Sequence, residues 1–66
     1  MSDQAIAEVI ERLEADEKRS TEQINECYQF AHRYPNVPAN WEAVAECRGE
    51  LFGIRLALSY LREPQP

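Results

Sequence analysis

Apolar side chains in the first half of the chain recur as Ile6, Ile10 and Leu13, and again as Ile24, Cys27, Ala31 and Tyr34. Steps of three and four place them along one stripe of a helix. Between Leu13 and Ile24 lies EADEKRSTEQ, where the stripe holds only Glu17 and Ser20. Ser20 to Gln23 also fits a capping box, with Ser20 as N-cap and Gln23 three residues on. Two readings stay open: one helix over about residues 3–33 with a polar middle, or two helices that break or kink near Ser20. No proline or glycine interrupts the segment and the stripe keeps its phase across the gap, which favours the single helix.

YPNVPAN, residues 34–40, is a connector. Pro35 drives Tyr34 out of helical angles, Asn36 suits a turn, and Pro38 suits the first turn of a following helix, where its missing N–H is not needed. The second helix then covers about residues 38–62 and ends in EPQP. The fold class expected is all-α: an antiparallel helical hairpin forming one domain over residues 1–66.

The second helix carries three surfaces. Val44, Cys47, Leu51, Ile54, Leu58 and Leu61 alternate at steps of three and four, a seam that packs against another helix. Ala45, Phe52 and Leu56 lie roughly 100 to 140° around from it. Beside them, Ala45, Gly49, Gly53 and Ala57 form a ladder of small residues. Glycine inside a helix costs roughly 1 kcal/mol relative to alanine, so two of them four apart mark a surface that another backbone or a flat ligand approaches closely; a local kink is the competing reading. Between the two apolar faces, Arg48, Arg55 and Arg62 repeat every seven residues. With the turn centred near position 37, Arg48 falls level with Glu26, and Arg62 with Arg12 beside Glu11. The row then either pairs with the acidic first helix or offers guanidinium forks to phosphate or carboxylate.

Two helices cover one seam, not two faces. A chain of 66 residues lies near the lower edge of what folds alone. Trp41, Phe52, Leu56 and Tyr60 stay partly wet in a lone hairpin, so self-association into a homo-oligomer, most simply a four-helix arrangement, is expected.

Charge narrows the partners. Twelve acidic side chains face seven basic ones, a net charge of −5. Residues 1–26 hold eight of the acids against Arg12, Lys18 and Arg19. Phosphate neutralisation needs a basic surface, so general nucleic-acid binding is disfavoured. No apolar run approaches the ~20 residues of a membrane span, and the acidic start lacks the features of a secretory signal; the cytoplasm is the expected location.

Cys27 and Cys47 lie equally far from the turn and can face each other as free buried thiols or as a disulfide. Zinc is disfavoured, because His32 is the sole histidine and no second ligand pair accompanies it. Nothing aligns His32 with a thiol for nucleophilic chemistry, and Glu8, Glu11, Glu22 and Glu26 occupy exposed helix positions where a raised pKa has no cause. No enzyme activity, cofactor or metal is expected. Tyr28, Phe30, His32, Tyr34 and Trp41 crowd the turn beside Arg33, either closing the end of the bundle or forming a contact surface.

The segment NWEAVAECRGELFGIRLALSYLREP, residues 40–64, resembles the second helix of the helical-hairpin sponges of phages, through Trp41, Ala43-Val44-Ala45, the two glycines, Arg55 and Pro64. Proteins of that family counter the CBASS and Thoeris immune systems of bacteria by sequestering cyclic-nucleotide signals in small helical oligomers, without catalysis. The resemblance implies Arg48 and Arg55 as phosphate contacts and Trp41 or Tyr60 as a base-stacking surface, near Gly49, Phe52 and Gly53. The acidity of the first helix departs from the family. A second reading is a stoichiometric inhibitor or adaptor of the anti-CRISPR or anti-restriction kind, which binds a bacterial defence protein through Phe52, Leu56 and Tyr60 or through the acidic helix. An RNA-binding hairpin dimer is the third, and the acidic helix makes it the weakest.

Overall fold

The computed structural model describes residues 2–63, and within them the chain forms two helices, α1 (Asp3–Arg33) and α2 (Pro38–Arg62), folded against each other as an antiparallel hairpin. Ser2 caps α1: its hydroxyl accepts a hydrogen bond from the Ala5 N–H at 3.2 Å, satisfying one of the donors that a helix start leaves unpaired. Tyr34 leaves the helix at φ −126°, ψ 68°, as the following proline requires. Pro38 opens α2 in the first turn. Pro64, one of the residues that carry the family resemblance, lies outside the described residues.

α1 is continuous through its polar middle. Ser20 is not a cap but a buried side chain on the seam, and Glu17 is half-buried beside it. Thr21 turns its hydroxyl back onto the Glu17 carbonyl at 2.8 Å, so the extra polar group is absorbed by the helix itself. The reading with two helices broken near Ser20 is thereby replaced by the single helix.

Packing follows the seam. Ile24, Cys47 and Leu51 form the buried centre, with Cys27 and Tyr28 against it. Ala31 and Val44 continue the core towards the turn, and Leu58, 1% exposed, continues it away from the turn. Ile54 and Leu61 are half-buried, as are Ile6, Ile10 and Leu13. A rod 49 Å long and 19 Å by 14 Å across has little interior, so each helix hides one stripe and no more.

Two side chains tie the connector down. Asn40 donates its amide to the Tyr34 carbonyl at 3.0 Å, and the Trp41 indole N–H donates to the Pro35 carbonyl at 2.9 Å. Both acceptors belong to the stretch where α1 has ended, and the Tyr34 carbonyl also accepts from the Val37 N–H at 3.4 Å.

Candidate functional site

The outer face of α2 is open. Phe52 is 67% exposed and Tyr60 62%, with Leu56 exposed between them. Gly49 and Gly53 both keep right-handed helical backbone, and a Cβ built on either meets nothing within 4 Å. Their small size serves neither a strained turn nor close approach of α1. Of the ladder they form with Ala45 and Ala57, Ala45 and the two glycines are exposed and Ala57 is half-buried.

Beside this face runs an open groove of about 480 Å³ lined by Ile24, Arg48, Gly49, Leu51, Phe52 and Arg55. Four of the seven residues singled out in the sequence as contacts meet here: Arg48, Gly49, Phe52 and Arg55. They recur at i, i+1, i+4 and i+7, two turns of one helix face. Ile24 and Leu51 give the groove an apolar floor, while Arg48 and Arg55 place two permanent positive charges along it. Gly53 lies one turn beyond Gly49 on the open ladder and does not line the groove; Tyr60 lies further along the same helix.

Trp41 is not brought to the groove. Its indole N–H is committed to Pro35, and its ring meets His32 edge-on at 5.4 Å between centroids. Tyr28 stacks with His32 at 6.3 Å, and Phe30 meets Tyr34 at 5.0 Å. The turn aromatics therefore pair among themselves at the end of the hairpin, while Phe30 and Tyr34 stay exposed.

The arginine row pairs differently from the level arithmetic. Arg55 Nε donates to Glu17 Oε2 at 3.1 Å, and Arg62 donates to Glu14 Oε2 at 2.7 Å, not to Glu11. An arginine side chain spans more than one turn of its own helix and reaches past the residue facing its Cα. Arg48, level with Glu26, makes no ion pair with it or with any other carboxylate among the described residues. It is the one arginine of the row with no carboxylate partner among the described residues. Glu17, read in the sequence as a gap in the stripe, is the carboxylate that holds Arg55 at the groove.

The two cysteines are free thiols with their sulfurs 3.5 Å apart, Cys47 buried and Cys27 half-buried. Hydrogen bonding to Cys27, then burial, then the negative charge of Cys27, Glu50 and Glu46 push the Cys47 thiol above its ordinary pKa. Among the described residues no three or more His, Cys, Asp or Glu side chains come together as a metal-binding group, and no helix is long and apolar enough to cross a membrane.

No family model, curated protein or solved structure matches the chain.

Proposed function

We propose that this chain is a non-catalytic binding protein that sequesters a small anionic ligand of the cyclic-nucleotide type, acting in the host cytoplasm as a phage or mobile-element inhibitor of bacterial immunity. The observation that carries the reading is Arg48, an unpaired guanidinium standing over an apolar groove beside exposed Phe52 and the bare backbone of Gly49. A guanidinium fork suits a phosphate, and a phenyl ring next to it suits a base or ribose. Arg55 is the second phosphate contact and exchanges Glu17 for the ligand. The resemblance of residues 40–64 to the phage sponges supports the ligand class.

The groove is open on the side of Phe52, Leu56 and Tyr60. A second copy of the chain, laid along the small-residue ladder, closes it and covers those side chains; the functional unit is therefore a homo-oligomer with its ligand at the subunit junction. Thermal unfolding in the presence of a panel of cyclic dinucleotides tests this. A rise in midpoint with at least one of them, lost in Arg48→Ala, is expected. No shift with any member at large excess sinks the reading.

The exposed carboxylates Glu8, Glu11, Glu22 and Glu26 on α1 favour a second reading. They present a negative face to which a basic partner protein docks, as a stoichiometric inhibitor of a defence protein would use. Recovery of one dominant basic protein by the tagged chain, lost when these four are changed to glutamine, supports this reading over the first.

A further inference from the structure

Away from the arginine groove, the turn-proximal core holds two thiols that come from different helices. They lie 20 positions apart in sequence, with Cys27 Sγ and Cys47 Sγ separated by 3.5 Å. A disulfide needs its sulfurs at about 2.05 Å, so about 1.5 Å of approach, within the reach of side-chain rotation, separates the contact from a bond. The two sulfurs differ in access. Cys47 is buried against Ile24 and Leu51. Cys27 is half-buried and lines an open, mainly apolar groove of about 280 Å³ with Glu26, Phe30, Asn40 and Ala43. A small uncharged oxidant reaches Cys27 through that groove and does not reach Cys47 directly.

We propose that Cys27 and Cys47 form a peroxide-responsive dithiol that closes into an intrachain disulfide and fastens α1 to α2. With hydrogen peroxide as oxidant, the Cys27 thiolate attacks one peroxide oxygen. The S–O bond forms as the O–O bond breaks, and the departing hydroxide takes up a proton to become water. Cys27 is now a sulfenic acid. The sulfur of Cys47, already in contact, attacks the sulfur of Cys27. The S–S bond forms as the S–O bond breaks, and the hydroxide released carries off the Cys47 proton as a second water. Two thiols and one peroxide become one disulfide and two waters. The hydrogen bond to Cys27 and burial raise the Cys47 thiol above its ordinary pKa, which disfavours it as the first nucleophile and leaves peroxide attack to the more exposed Cys27. The product closes the segment from Cys27 to Cys47, which includes the connector, and removes open hairpins from the unfolded ensemble.

The test uses the full chain, reduced, exposed to stoichiometric hydrogen peroxide, then alkylated and weighed intact. In the folded chain both thiols should vanish together with the loss of two hydrogens, giving a single-chain product on a non-reducing denaturing gel. The reaction should run about tenfold or more faster than in chain unfolded by guanidinium, because the fold supplies the proximity. The oxidised chain should melt at a higher temperature than the reduced one. In Cys47→Ser, Cys27 should stop at a sulfenic acid that dimedone traps; should that variant fail to fold, the wild-type comparison of folded with unfolded chain still decides. Retention of alkylatable thiols, chain-to-chain dimers as the main product, or equal rates in folded and unfolded chain would each overturn the proposal.

Discussion

Arg55 Nε lies 3.1 Å from Glu17 Oε2, a bond between residues 38 positions apart that joins the rim of the groove on α2 to the polar middle of α1. Both side chains remain partly in water, so the pair contributes at most about 1 kcal/mol to the hairpin and less in salt. Under the proposed function its larger effect is on binding, because Glu17 would compete with an anion for Arg55. Glu17→Gln should therefore bind the anionic ligand more tightly while shifting the urea midpoint little. Titration calorimetry on the two proteins measures the first effect; a weaker-binding variant would mean that Arg55 does not contact the ligand.

Gly49 and Gly53 offer a way to tell the fold of the hairpin from the homo-oligomer proposed for it. Replacing either by alanine meets no atom of the same chain and should stabilise the isolated hairpin by about 1 kcal/mol through helix propensity. In the proposed homo-oligomer a second copy laid along the ladder would lose its close approach, so the same variants should dissociate at higher concentration than wild type. Sedimentation velocity and thermal melts over a dilution series read the two effects with opposite signs.

Leu58 and Phe52 are large apolar residues of α2 with opposite surroundings, 1% and 67% exposed. Leu58→Ala should cost the fold about 2–5 kcal/mol. Phe52→Ala should change it by less than about 0.5 kcal/mol and weaken self-association instead. Urea unfolding at a concentration where the chain is monomeric gives the first comparison, and sedimentation the second.

The raised pKa of Cys47 has a direction that stability must follow. The folded thiol holds its proton more tightly than the unfolded one, so this contribution is fully present below the ordinary thiol pKa. It is lost as pH rises through the folded-state value. The urea midpoint should fall as pH rises above the ordinary thiol pKa of about 8.5, and Cys47→Ala should flatten that part of the profile. A fall unchanged in the variant would assign it to other groups.

Much of this architecture is legible in the residues because its signals are local. Pro35 and Pro38 bound the two helices, and the three-four spacing of Val44, Cys47, Leu51, Ile54 and Leu58 marks the face turned to the core. Counting outward from the turn brings Cys27 opposite Cys47. The groove is half legible: Arg48, Gly49, Phe52 and Arg55 share one face by spacing alone, whereas the floor supplied by Ile24 needs the packing of α1 against α2. Ion pairs resist this arithmetic, since Arg62 bends to Glu14 rather than to the residues level with its Cα. Trp41 is legible only as one of the turn aromatics, because the donation of its N–H to the Pro35 carbonyl depends on the chain reversal. Ser20 looks like a cap by its neighbours and is a seam residue because the stripe passes through it.

α1 spans 31 residues and α2 only 25. At ~1.5 Å per residue the longer helix runs on by about 9 Å, so its opening turns around Ala5 and Ile6 have no turn of α2 opposite them. Local opening then has a fixed polarity. Amide hydrogens of the overhanging turns should trade with deuterium first, those near Leu13 and Leu58 later, and those flanking Ile24 and Cys47 last. The hairpin should therefore unzip from its free end and keep its closed end shut longest.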